Sequence, residues 1–160
     1  MKNYFELFLL PIDFEINLDE LEKKYFEFQN QFHPDKSSID EIEKSILINK
    51  AYEILADDFL RACYILQLKG IDIRNDEKAI KIDIATLETV LELQEEIIKI
   101  TNKDKIKILQ EKLNGEIKLL INSAVNCFKG SDINLAAQFL VKAKYLKKSL
   151  QDLKDQKQKL

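Results

Sequence analysis

The only histidine in the chain opens the tripeptide His33-Pro34-Asp35, and groups that could do chemistry are concentrated there. An imidazole titrates near neutral pH, and a carboxylate two residues away could orient it as a general base. Pro34 biases His33 away from helical backbone and cannot itself continue a helix. The preceding segment must therefore stop near His33 and turn outward, leaving the ring and the Asp35 carboxylate at a loop tip. Three readings follow: a polar turn in which Pro and Asp merely suit the geometry, a catalytic pair, or a recognition element. A base needs a nucleophile, an oxyanion site and a concave pocket, none of which the sequence supplies. A metal site is weaker still, with one histidine and no partner cysteine. The third reading presents a ring and a carboxylate to a cationic groove on a partner.

The elements that must hold this tip are helical. A first short helix is predicted over Tyr4 to Leu10, ended by Pro11. A second has Asn17 as N-cap with Glu20 three residues on, and Leu18, Leu21, Tyr25, Phe28 and Phe32 recur along it at helical spacing. Beyond Lys36, Ser38 with Glu41 announces a third, whose stripe of Ile48, Ala51, Tyr52 and Leu55 would pack antiparallel on the second. The tip is then the bend of a helical hairpin. A continuation over Phe59, Ala62, Cys63 and Leu66 runs to Gly70, which suits a helix C-cap.

The polar stretch from Asp72 to Glu77 reads as a linker, giving an N-terminal unit over 1–70, a linker over 71–79 and a second unit over 80–160. In the second unit three periodic segments are predicted. The first covers roughly 82 to 100. The next, 103 to 128, opens with Thr101 and Asp104 and carries Ile106, Leu109, Leu113, Ile117, Leu120 and Ala124 on one face. The last, 132 to 155, opens with Ser131 and carries Leu135, Phe139, Ala143, Leu146, Leu150 and Leu153. Short turns between them imply an antiparallel three-helix bundle.

Composition agrees with an all-α reading: 160 residues with three Gly, two Pro and no Trp, 46% hydrophobic and 33% charged. No apolar run approaches the roughly 20 residues that cross a bilayer, and the start MKNYFELFLL has the wrong flanks for a signal peptide, so a cytoplasmic protein is expected. Residues 1–69 carry 8 basic against 14 acidic groups and residues 70–160 carry 17 against 14, an asymmetry that suits two units. The C-terminal lysines, mixed with Asp, Gln and Leu, resemble a solvated face, which argues against nucleic-acid binding. Cys63 and Cys127 are far apart in helical patterns and are expected to be buried apolar residues, with no bound metal or cofactor.

The short helix, the hairpin with His33-Pro34-Asp35-Lys36 at its bend, Tyr25, Phe28 and Asn49-Lys50-Ala51-Tyr52 together resemble a J-domain. Tyr4-Phe5, Leu7-Phe8, Leu10-Pro11, the stretch Asp58 to Leu66 through Gly70 and the C-terminal unit narrow the resemblance to the HscB family, over the whole chain. It implies a non-enzymatic co-chaperone with two helical units in an L-like arrangement. In that family the J-domain stimulates the ATPase of a DnaK-class chaperone such as HscA, and the second unit brings it the IscU-type scaffold of iron-sulfur cluster biogenesis. His33, Pro34 and Asp35 would then trigger hydrolysis, Asp35 pairing with a chaperone arginine, with Lys36, Lys23 and Lys24 in the same contact. Lys23 and Lys24 are the only basic residues of that helix, whereas J-domains usually show a more basic face there. A J-protein serving a different client, an enzyme using His33 and Asp35, and an inert helical adaptor are the alternatives.

The helix from Ile84 to Ile100 supplies an independent hint of the second role. Val90, Leu93, Ile97 and Ile100 form one apolar stripe and Ile84, Leu87, Leu91 and Ile98 another. A small bundle readily buries one. The other borders Glu88, Glu92 and Glu95, as an apolar patch with a polar rim would, and Tyr145 lies off the core stripe of its own helix. The bland alternative is that the wide stripe packs on the N-terminal unit. By resemblance, Leu87, Glu88, Leu91, Glu92, Glu95 and Tyr145 form the scaffold-binding patch, with Glu88 where the family tends to be apolar and Lys99 where it tends to be acidic.

Overall fold

The computed structural model describes residues 2–32, 38–76 and 78–160. The tip residues His33, Pro34, Asp35 and Lys36 lie outside them. Among the described residues seven helices run in order: α1 (Tyr4–Leu7), α2 (Leu18–Gln31), α3 (Ile39–Ala56), α4 (Asp58–Leu68), α5 (Ile84–Lys99), α6 (Lys103–Lys129) and α7 (Ile133–Gln158). Among the described residues there is no strand. The chain divides into two compact units, Met1–Ile65 and Leu66–Leu160.

The first helix is shorter than its sequence predicts. Asn3 and Glu6 cap it reciprocally, the Glu6 N–H donating to Asn3 Oδ1 at 2.9 Å and the Asn3 N–H to Glu6 Oε2 at 3.1 Å. It stops at Leu7 because the core claims Phe5, Phe8 and Leu10 together, a spacing no helix satisfies. The chain turns at Leu9, whose φ of 54° is left-handed, and the Leu10 N–H donates back to the Phe5 carbonyl. Leu9 itself is left in solvent.

α2 starts where predicted, with the Glu20 N–H donating to Asn17 Oδ1 at 3.0 Å, and ends at Gln31 with Phe32 as C-cap. Only Leu21 of its stripe is fully buried; Tyr25, Phe28 and Phe32 are half-buried and Leu18 is exposed. α3 starts at the predicted Ser38 cap. Tyr25 stacks on Tyr52 with ring centroids 4.0 Å apart, and the Lys44 ammonium lies 5.6 Å from the Phe32 ring centroid. These pairings, 25 with 52 and 32 with 44, make α2 and α3 an antiparallel hairpin.

α3 does not continue unbroken past Ala56. Asp57 leaves helical backbone at φ −96°, ψ 129°, and its carboxylate accepts from the Leu60 N–H at 2.8 Å, so one residue ends α3 and caps α4. α4 closes at Gly70, whose φ of +102° lets the Ile71 N–H reach the Leu66 carbonyl, as the sequence predicts for a C-cap.

In the second unit α6 and α7 pair along their lengths, and the three-residue turn between them makes them antiparallel. α5 packs on α7 and faces α6 across a cleft between Thr89, Glu92 and Leu93 and Lys112, Leu113 and Glu116. Two predicted caps sit one residue early. Asn102, not Thr101, caps α6, its Oδ1 accepting from Asp104 at 2.8 Å and Lys105 at 3.3 Å. Asp132, not Ser131, caps α7 by accepting from Leu135, while Ser131 takes a left-handed φ of 65° to make the turn. The core stripes keep their register: Ile106, Leu109, Leu113, Ile117 and Ala124 on α6 and Ala143, Leu146, Leu150 and Leu153 on α7 are buried as predicted, whereas Leu120, Leu135 and Phe139 are not, and Ile121, Ala136, Ala137 and Leu140 join the core instead. Cys63 is buried as expected, whereas Cys127 is only half-buried.

Candidate functional site

α5 begins where Asp83 accepts from the Thr86 N–H at 2.6 Å. That bond, with the Thr86 hydroxyl and the nearby Lys142, holds the Asp83 carboxyl below the usual carboxylate range. From this cap the two apolar stripes separate as two faces. Val90, Leu93, Ile97 and Ile100 are buried, whereas Ile84, Leu87, Leu91 and Ile98 stand 75%, 43%, 60% and 74% exposed. Glu88, Glu92 and Glu95 are exposed beside them, toward the α6 side. Lys99 sits one turn beyond Glu95, 3.8 Å from its carboxylate, and partly offsets that acidic edge. Four large aliphatic side chains in line on one helix exceed the scattered exposure usual for a surface.

Tyr145 lies on α7, and the register between the two helices decides what it can join. Near its start α5 meets α7 where Asp83 and Thr86 line a cleft with Gln138, Val141 and Lys142. Near its end Gln94, Ile97 and Ile98 do the same with Asp152, Asp155 and Gln156. The two helices therefore run side by side in one direction. Tyr145 and Asp152 share an edge of α7, as Leu87, Leu91, Gln94 and Ile98 share an edge of α5. Stepping back two turns from the Ile98–Asp152 cleft puts Tyr145 at the level of Leu87 and Leu91. Tyr145 is half-buried rather than freely exposed, because it also walls a pocket beside Ile82, Val141 and Lys148.

In the first unit the arms that carry the tip are fixed by a polar clasp. The Tyr25 hydroxyl donates to Asn49 Oδ1 at 2.8 Å, and the Gln29 amide donates to both Tyr25 Oη and Asn49 Oδ1. Lys24 and Lys23 differ in availability. The Lys24 ammonium pairs with Glu20 at 2.8 Å and lies 3.5 Å from the Leu9 carbonyl, whereas Lys23 is exposed with no acid paired to it among the described residues.

Residues 3–64 match the family model described as the DnaJ domain, and residues 82–154 match the model described as the HSCB C-terminal oligomerisation domain. The co-chaperone protein HscB homolog of Shewanella amazonensis is 33% identical over 91% of this chain and 91% of that protein. The chain belongs to the HscB family. Solved structures similar to it include chaperone HscB from Vibrio cholerae, with a TM-score of 0.83 at 27% identity over 99% of both chains. Human co-chaperone protein HscB gives a TM-score of 0.86 at 25% identity, covering all of this chain and 84% of that one. It is thus a J-type co-chaperone of iron-sulfur cluster assembly, with relatives that are co-chaperones rather than enzymes.

Two structural groups of this HscB chain escape a reading by periodicity. Arg61, 4% exposed, donates Nε to the Phe14 carbonyl at 2.8 Å, Nη1 to the Leu55 carbonyl at 2.6 Å and Nη2 to Asp58 at 2.8 Å. Its guanidinium also covers the Phe14 ring, 4.6 Å from the centroid, so it pins the irregular 8–17 segment to the α3–α4 junction. The visible signal was a lone cation inside the apolar run from Phe59 to Leu66. The clasp of Tyr25, Gln29 and Asn49 joins residues 20 and more apart and leaves no local pattern.

Proposed function

We propose that this chain stimulates ATP hydrolysis by a DnaK-class chaperone of the HscA type and delivers to it an IscU-type scaffold during iron-sulfur cluster biogenesis and transfer. The observation that carries the second half is the outward apolar stripe of α5, at the level of Tyr145 and edged by Glu88, Glu92 and Glu95. A partner covering Leu87 and Leu91 removes apolar surface from water at about 25 cal/mol per Å². The carboxylates at the edge then fix register and orientation more than affinity. Glu88 and the Lys99–Glu95 pair alter that rim, so the scaffold face should differ in charge at those two points from one fitted to a more apolar, more acidic patch.

The first half rests on the J-domain match and on the α2–α3 hairpin, between whose arms the sequence carries His33, Pro34 and Asp35. An aspartate at such a bend suits a charge-assisted pair with an arginine of the chaperone, and Lys36, Lys23 and Lys24 supply cations beside it. The chaperone does the chemistry and this chain triggers it. Residues 1–70 serve the chaperone contact, 80–160 the scaffold contact, and 71–79 join them. Among the described residues no helix is long and apolar enough to cross a membrane, and the cytoplasm is the compartment this reading assigns.

The test is single-turnover ATP hydrolysis by the chaperone from the same source, with the wild-type chain or His33→Gln, each with and without scaffold. Stimulation that scaffold enhances and the variant loses is the expected result. Stimulation indifferent to scaffold would leave the J-domain role and overturn the client. In direct binding, Leu91→Ala combined with Tyr145→Ala should abolish scaffold capture while stimulation without scaffold stays intact.

A further inference from the structure

A pocket of about 230 Å³ lies between α7 and the segment that leads into α5. Its apolar lining includes Ile73, Ile82 and Val141, Tyr145 forms a wall, and Lys144 and Lys148 join the lining. It is smaller than the roughly 300–1,000 Å³ of a small-molecule site, and suits one or two side chains of a peptide. The Lys144 ammonium is held in place by the Ile73 carbonyl at 2.9 Å, which leaves two of its three donors. Lys148 is exposed and pairs with no acid among the described residues. Asp76, the acid of the lining, accepts from the Lys78 N–H at 3.0 Å and offsets one of the two lysine charges, which leaves the lining net cationic.

We propose that this pocket receives an aliphatic side chain of the scaffold partner together with a neighbouring carboxylate, which the Lys144 and Lys148 ammonium groups bind. The inference rests on the scaffold-binding reading of α5 and extends it. Tyr145 belongs to both places: it walls the pocket and stands at the level of Leu87 and Leu91, so a partner seated on α5 reaches the pocket without crossing open solvent. Charge fixes the occupant's chemistry. The α5 edge is acidic and the pocket rim is cationic over an aliphatic floor, so the partner must be acidic where it meets α7. The two rims of opposite sign leave one orientation in which neither edge meets like charge.

The experiment is calorimetric titration of the full chain with the IscU-type scaffold from the same source. Lys148→Glu, on an exposed side chain that leaves the fold intact by circular dichroism, should weaken binding about fivefold at low salt. Most of that loss should vanish in about 0.5 M salt, where screening acts over a few ångströms. Reversing one scaffold carboxylate to lysine should restore the affinity of Lys148→Glu. Unchanged affinity of Lys148→Glu and Lys144→Gln, with Leu91→Ala still losing binding, would overturn the pocket proposal and keep the α5 face. Tighter binding by Lys148→Glu would mean a basic occupant and overturn it as well. No binding by the wild type would overturn the α5 reading and this one together.

Discussion

Arg61 shows how one buried cation can organise a loop. Lysine at that position keeps the charge but cannot reach two carbonyls and a carboxylate at once, so Arg61→Lys should cost roughly 2 kcal/mol by urea denaturation, from stranded acceptors. Tyr64 is a second such residue. Its hydroxyl accepts from the Tyr4 N–H at 3.0 Å, and burial, ahead of the neighbouring Tyr4 and Glu6 charges, pushes its pKa above the usual tyrosine value. The unfolded chain therefore loses this proton first as pH rises, and stability, intact below about pH 10, should fall above it. Denaturation midpoints across alkaline pH should decline in the wild type and decline less in Tyr64→Phe. At this scale the sequence was partly legible. The Asn17 and Ser38 caps could be read because a side-chain acceptor and its N–H are three residues apart, whereas Asn102 and Asp132 lay beside equally plausible Thr101 and Ser131.

Helix α5 was read almost residue by residue, because two apolar stripes on one short helix leave one for the outside unless another element covers it. Its two faces give a direct contrast. Leu93→Ala, at a buried position, should cost about 2–5 kcal/mol. Leu91→Ala, two residues away and 60% exposed, should change stability by less than about 0.5 kcal/mol. Chemical denaturation of both variants checks this, and a large cost at Leu91 would mean that its face is structural. The α6 and α7 stripes were read correctly apart from Leu120, Leu135 and Phe139, and the two misses on α7 share one cause. The buried face of α7 includes Ala136, Ala137 and Ala143, and a stripe chosen for its largest side chains favours Leu135 and Phe139, which sit at the margin. The first helix was overextended for a different reason: Leu9 bends the chain in a conformation that no helical periodicity encodes.

For the whole molecule, the charge asymmetry bears on how it meets its partners. The N-terminal 69 residues carry 8 basic and 14 acidic groups, and of the two lysines on α2 one is already paired with Glu20. Attraction to an acidic chaperone surface should be weak at long range, so stimulation of ATP hydrolysis should change little between low and moderate salt. A steep fall with salt would show that Lys23 and Lys36 dominate the encounter. The two-unit organisation was legible from the Gly70 turn and the polar stretch after it, while the tertiary contacts that divide the chain were not.

Those contacts thin out between Ile65 and Leu66, inside α4, where every residue from Arg61 to Leu66 is buried. The consequence is practical for anyone who cuts the protein. A gene fragment ending at that division would strip α4 of its last turn and expose the most apolar stretch of the helix, a recipe for inclusion bodies. A stop codon after the Gly70 turn keeps the helix whole and ends the product on exposed chain. Trypsin should find the same place unaided, nicking first at Arg74 or Lys78, both in solvent, and leaving α4 on the N-terminal piece.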